Sequence, residues 1–338
     1  MMKSRVPKVW LLIYAAMVAL TGCKNEMVSP EPDTRLHVKI EDHQFLRSTY
    51  FFIDQFYREQ FRHYENVNWT HNYDPSRAIV QVEFYISGPS YDVRQKAIPG
   101  VAYRNLSETL VDSSEIYRGH FIRLSAETDF WLESRLGYIR LNMPLSDSEV
   151  LAVAYQDSSG RIVGDLDHII NPAPNNRELI ELKLISPRVP IPSQDPNSTW
   201  KLAWKNVYQL GSTNISEEGF EVKFFFKSPS GDNEETLIDN QGRELFYLQL
   251  FGFDSFNSSW EQLPDNKIDL NPNIVDLARG ELIFPDLRPF DPAGVFIQNI
   301  ERPIPLPDGK RTSVIYDTSS QVVIRASSKF FIEVKYSN

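Results

Sequence analysis

The sequence predicts a mainly β protein, made of two β-sandwich-like modules with one or two short helices. Three observations lead there. First, apolar and polar residues alternate with a period of two through most of the chain, as in Glu178 to Ile185, E-L-I-E-L-K-L-I. Second, these runs are rich in β-branched and aromatic residues and are separated by Pro, Gly, Asn, Asp and Ser. Third, helical spacing is rare. Gln55 to Tyr64 places Phe56, Phe61 and Tyr64 near one face, and Ser107 to Val111 is a weaker helix candidate.

In chain order, the first element is an address. Lys3, Arg5 and Lys8 precede an apolar run from Trp10 to Leu20, too short to span a bilayer as a stable helix. The run ends in Leu20-Thr21-Gly22-Cys23, which resembles the bacterial lipobox. That resemblance implies a signal peptide at 1–22 and lipid on Cys23, the sole cysteine of the chain. Three acyl chains would hold the protein on a membrane permanently. Lys24, where Asp would signal inner-membrane retention, implies an outer-membrane lipoprotein on either the periplasmic or the cell-surface face; Glu26 is a thin version of a surface-export signal. Residues 23–44, with Pro30, Pro32 and Asp33, read as a tether.

The first module is expected over 45–175. Its strands are Ala78 to Ser87, Leu136 to Leu141 and Val150 to Tyr155. Asn171-Pro172-Ala173-Pro174-Asn175-Asn176 and the Pro-rich stretch from Pro187 to Pro196 mark a boundary near residue 175. The second module, 176–338, is expected to hold strands at Glu178 to Ile185, Phe220 to Phe226, Glu244 to Phe251, Gly280 to Phe284, Gln321 to Ile324 and Phe330 to Tyr336. Leu136-Gly137-Tyr138-Ile139-Arg140-Leu141 is echoed by Arg279-Gly280-Glu281-Leu282-Ile283-Phe284: a glycine opens each short strand and a proline closes it. Two copies of one β unit and coincidence both account for that echo.

Composition narrows the function classes. Among 338 residues, 35 basic and 45 acidic side chains give a net charge of −10, which argues against a nucleic-acid partner. One cysteine excludes an internal disulfide framework and a paired-cysteine zinc site. The chain carries no G-x-S-x-G elbow, P-loop, H-E-x-x-H or dinucleotide fingerprint. Its six histidines (His37, His43, His63, His71, His120 and His168) are scattered and read as surface residues. No catalytic residue, cofactor or metal is therefore assigned. Asp254-Ser255-Phe256-Asn257 and Asp265-Asn266-Lys267-Ile268-Asp269 could wrap calcium, but they equally suit Asx turns. No turn glycine is present there, and Lys267 adds an unfavourable charge. Aromatic residues crowd the second half, and Phe224-Phe225-Phe226 cannot all face inward on one strand. A core and a partner surface are the two readings; Trp200, Trp204, Tyr208 and Phe225 are the candidates for the latter.

Several segments together resemble SprA, the gliding-motility and type IX secretion protein of Bacteroidetes. They are Trp200 to Gly211 (W-K-L-A-W-K-N-V-Y-Q-L-G), Phe246 to Asn257, Arg279 to Phe290, Leu136 to Asn142, Val150 to Gln156 and Tyr316-Asp317-Thr318. Lys267 departs from that family's pattern, where an Asp-Gly turn would carry glycine. The resemblance implies a non-enzymatic lipoprotein, anchored in the outer membrane, that docks to type IX secretion or gliding proteins. The rivals are an independent adhesin or glycan binder, for which Trp131 and Trp260 are the candidate platforms, and the product of a split or truncated gene.

Overall fold

Strands dominate because side chains at alternate positions have apolar surface to cover on one face, and in several strands on both. The computed structural model describes residues 34–61, 73–89, 97–105, 116–166, 179–291 and 306–337. The signal peptide at 1–22, Cys23, the Ser107 to Val111 helix candidate and the boundary near 175 lie outside the described residues. Contacts gather Leu36–Asn338 into one mainly β unit. The first half contributes β1 (Leu36–Glu41), β2 (Tyr50–Phe52), β3 (Ile79–Ser87), β4 (Ile98–Tyr103), β5 (Ile116–Arg123), β6 (Phe130–Glu133), β7 (Tyr138–Leu141), β8 (Val150–Asp157), β9 (Ile162–Val163) and β10 (Ile180–Ser186). The second half contributes β11 (Val207–Gln209), β12 (Glu221–Lys227), β13 (Asn233–Glu234), β14 (Thr236–Ile238), β15 (Glu244–Phe246), β16 (Val275–Asp276), β17 (Glu281–Ile283) and β18 (Phe330–Tyr336). The helices are short: α1 (Gln55–Phe61), α2 (Tyr247–Leu250), α3 (Val314–Asp317) and α4 (Gln321–Ala326).

Five strands close on themselves in the order β10-β4-β5-β3-β8, with β8 pairing back to β10; only β10 and β4 run parallel. A ring this narrow has room for few large side chains. Its interior holds Tyr85, Phe121, Ile180, Leu182 and Leu184 beside Ala102, Ala152 and Ala154. Gly100 is required for the same reason, since a Cβ there would lie 2.6 Å from Ile180 Cγ1. Strand β8 is apolar on both faces. Val150, Ala152 and Ala154 point into the ring, while Leu151, Val153 and Tyr155 join a second core with α1 and β7.

That second core is capped by the antiparallel sheet β2-β7-β6, and a topologically equivalent sheet, β11-β17-β16, lies in the other half. The two glycines of the sequence echo open the equivalent strands, with φ +60 at Gly137 and +65 at Gly280. No side chain would fit at either: a Cβ would meet the Tyr57 ring at 2.1 Å or Ser212 O at 1.6 Å. The echo is thus a repeated three-stranded unit. The two sheets are stitched by the chain at 45–52 running against 202–208, through the bridges Phe45 to Tyr208 and Phe51 to Ala203 and the bonds Phe52 N to Leu202 O (2.9 Å) and Trp204 N to Tyr50 O (3.0 Å).

A third core lies under the sheet β1-β18-β12-β13. Phe224 and Phe226 point into it; Phe225 points out and stacks on Phe331 at 5.1 Å. The outer face is a charge ladder, with Lys223, Glu333 and Lys39 in register across three strands.

Several expectations are corrected. Residues 36–41, inside the expected tether, form β1, and Ile40 is buried opposite Ile332. The cores do not divide at residue 175: β10 completes the ring of the first half, while β1 belongs to the sheet of the second. Gln321 to Ile324 is helical rather than extended, because Ile324 alone finds a buried site while Val322 and Val323 face solvent. The strand expected from Glu244 to Phe251 ends at Phe246 and turns into α2, which buries Tyr247, Leu248 and Leu250. Trp200, Trp204 and Tyr208 are interior, at 8%, 4% and 0% exposure, and cannot present a docking face. They pack there because the segment that carries them is the seam between the halves. Of the four partner-surface candidates only Phe225 remains partly accessible.

Candidate binding cleft

Period-two alternation assigns opposite duties to the faces of the repeated sheets. On β2-β7-β6, Phe51, Ile139 and Leu141 face the core. Tyr50, Tyr138, Arg140, Trp131 and Glu133 lie on the other face, paired across strands as Tyr50 to Arg140 to Trp131 and Tyr138 to Glu133. On β11-β17-β16, Leu282 and Tyr208 face the core, while Glu281, Ile283 and Asp276 lie on the opposite side. Between the β6-β7 and β16-β17 hairpins lies a cleft of about 430 Å³.

Tyr50, which lines the cleft, belongs to a buried polar cluster with Arg140 and Glu281. Glu281 is 1% exposed and accepts from Tyr50 Oη at 2.5 Å and from an Arg140 guanidinium nitrogen at 2.7 Å; Arg140 Nε also donates to Tyr50 Oη at 3.1 Å. Burial, then the Glu281 charge, pushes the Tyr50 phenol far above its ordinary range. These bonds link the two repeats directly, since Arg140 comes from β7 and Glu281 from β17. Trp204 wedges in beside them, with ring centres 5.3 Å from Tyr50, 4.5 Å from Tyr138 and 4.8 Å from Phe61.

The walls are aromatic and the rim is charged. Trp131, 42% exposed, meets Tyr138 edge-on at 5.7 Å, and Tyr73 is 40% exposed with the Arg135 guanidinium 5.7 Å from its ring centre. Glu133 pairs with Arg135 at 3.2 Å on one hairpin, and Asp276 with Arg279 at 2.9 Å on the other. The described lining offers aromatic rings, two carboxylates and two guanidinium groups, which can stack on, hydrogen-bond to and pair with a ligand. Sequence reading named Trp131 but missed Tyr50, Tyr73 and Tyr138 of the lining, and Arg140 and Glu281, which bond to Tyr50. The echo of Gly137 and Gly280 was the signal that could have found them, because it marks the two hairpins between which the cleft opens.

The other candidates resolve differently. Trp260, 63% exposed, lies on a loop against Phe256 and is not part of the cleft lining. Asp254 and Asp269 brace that loop through its backbone N–H groups. Asp254 accepts from the backbone N–H groups of Asp265 (3.0 Å) and Asn266 (2.9 Å), and Asp269 from those of Ser255 (2.8 Å) and Phe256 (3.3 Å). Asn266, at φ 64, takes the left-handed position that a glycine would otherwise fill. No group of three or more His, Cys, Asp or Glu is placed to hold a metal ion among the described residues.

Burial raises the Asp269 carboxyl from 3.8 to about 6, and the neighbouring Asp254 adds to the rise. The folded protein therefore keeps this proton where the unfolded chain has released it. The stability that results is full below about pH 4 and lost as pH rises through about 6. Asp269→Asn keeps an acceptor oxygen but no titration. Thermal melting from pH 4 to 7 is expected to show a smaller decline in the variant than in the wild type; parallel curves would show that Asp269 titrates normally.

No protein-family model matches the chain, and no curated protein gives a significant match to it.

Proposed function

We propose that this chain is a non-enzymatic, lipid-anchored protein of the outer membrane whose cleft binds a carbohydrate. The observation that carries the reading is the cleft itself: accessible Trp131 and Tyr73 walls beside Tyr138, with a guanidinium–carboxylate pair on each hairpin. Sugar rings present flat C–H faces that stack on aromatic rings, and hydroxyls that bridge a carboxylate acceptor and a guanidinium donor. The volume suits a ligand of a few rings at most. Lipid on Cys23 would hold the folded unit close to the bilayer, because the stretch from there to β1 spans at most roughly 45 Å.

The test is titration calorimetry with a panel of soluble oligosaccharides, on wild type and Trp131→Ala. The side chain is 42% exposed, so truncation should leave the melting temperature nearly unchanged. Affinity for the best ligand is expected to fall at least tenfold, the loss of one good stacking contact. Equal affinity in the variant, or no ligand in the panel, removes the carbohydrate reading.

Docking to type IX secretion or gliding proteins, which the SprA resemblance implies, is the second reading. One observation favours it: β1, the first strand after the tether, pairs only with β18 among the described residues and leaves an edge for strand addition. Pull-down from cross-linked outer membranes should then recover those proteins from wild type and lose them when Pro replaces Lys39 on that edge.

A further inference from the structure

A second cavity, independent of the carbohydrate reading, lies where α1, the Trp200 turn, the loop after β17 and α3 meet. It is small, about 30 Å³, room for one compact group. Four of its described lining residues are cationic: Arg58, Lys201, Lys205 and Arg288. None is acidic. Three of these cations are held by contacts within the fold. Arg288 is held by both Asp317 oxygens (2.7 and 2.8 Å) and by Asp291 (2.7 Å), and its guanidinium lies 5.0 Å from the Tyr316 ring centre. Lys201 stands 4.0 Å from Asp317. Lys205 Nζ donates to Trp200 O at 2.9 Å and lies 4.4 Å from the centre of the Trp200 ring. Trp200 is itself pinned by its Nε1 donating to Tyr316 O at 3.0 Å.

Four cationic side chains lining one cavity, with no carboxylate among them, give it a positive potential that favours an anion. The two carboxylates, Asp317 and Asp291, are not part of the lining. We propose that this cavity is a binding site for a small tetrahedral oxyanion of the phosphate or sulfate type. Such a group is compact and accepts from ammonium and guanidinium donors together.

The site also makes binding sensitive to pH. Burial, then Lys201, Arg288, Arg58 and the more distant Arg47, pushes the Lys205 ammonium down to about 7. Asp317 and Asp291 act in the opposite sense on Arg288. An anion in the cavity favours the protonated lysine, so binding near pH 7.5 should draw in up to one proton and tighten as pH falls.

The experiment is titration calorimetry of the full folded unit with sodium sulfate, whose charge is constant over this range, and with sodium phosphate and acetate for comparison. The expected result is saturable sulfate binding near the millimolar range. It should be stronger at pH 6.5 than at 8, show proton uptake in buffers of different ionisation heat, and fall at least fivefold in Lys205→Met. Lys201→Met, at a second lining cation, should weaken it too, and serves if the first variant folds poorly. Phosphate should follow sulfate; acetate, planar and singly charged, should bind less. Absence of saturable binding, equal binding by both variants, or no dependence on pH overturns the proposal.

Discussion

Truncating Glu281 to Ala is expected to destabilise the protein by about 3–5 kcal/mol, the range for breaking a buried ion pair by removing one partner. Glu281 is 1% exposed, and its two oxygens take the Tyr50 hydroxyl and the Arg140 guanidinium. Without it, Arg140 keeps its charge in a site whose side chain is only 16% exposed, and the Tyr50 hydroxyl loses its acceptor. The cost should be read in chemical denaturation. Glu281→Gln is expected to cost less, about 1–3 kcal/mol, because the amide oxygen still accepts one of the two bonds. Since Arg140 and Glu281 come from equivalent strands of the two repeats, the double variant Arg140→Met, Glu281→Leu should recover much of the loss. If Glu281→Ala costs under about 1 kcal/mol, the cluster is hydrated and does not tie the repeats together.

Truncating Trp204 to Ala is expected to cost about 3–5 kcal/mol, with a fall in melting temperature of roughly 5–10 °C. The indole packs against Tyr50, Phe52, Phe61 and Tyr138 with ring centres 4.5 to 5.3 Å away, and its backbone N–H closes the seam to Tyr50 O. Removing it leaves a cavity among rings that cannot all move in to fill it. The same substitution separates two views of this residue. A docking tryptophan would lose partner capture at unchanged stability; an interior one loses stability first. Trp204→Phe should restore most of the difference, because one ring still fills the site.

Much of the strand content is legible because burial of one face imposes a period of two, carried most clearly by Glu178 to Ile185, while β-branched and aromatic runs mark Ala78 to Ser87, Val150 to Tyr155 and Phe330 to Tyr336. The failures have physical causes as well. β1 falls in the expected tether because Pro30, Pro32 and Asp33 suggest a linker there, and its outer face of His37, Lys39 and Glu41 carries charges that a solvated edge strand tolerates as readily as a linker does. The β-branched run at Gln321 to Ile324 reads as a strand, yet one anchoring contact at Ile324 is enough to settle a helix. Trp200 and Trp204 read as surface candidates since aromatic density alone does not tell a core from an interface.

The cleft was only partly legible. The alternation that predicts strands also says that Trp131 and Glu133 share a face, as do Tyr138 and Arg140. It says nothing of what that face meets. Local sequence determined the mainly β character, the left-handed glycines at the two hairpins and the inward and outward positions along each strand, because sterics and alternation act within a few residues. Tertiary structure alone decided that the N-terminal strand closes the C-terminal sheet, that five strands shut into a ring, and that Glu281 reaches Arg140 and Tyr50. Those pairings join residues up to about 300 positions apart, and they form because burying two complementary faces against each other outweighs the entropy of closing so long a loop.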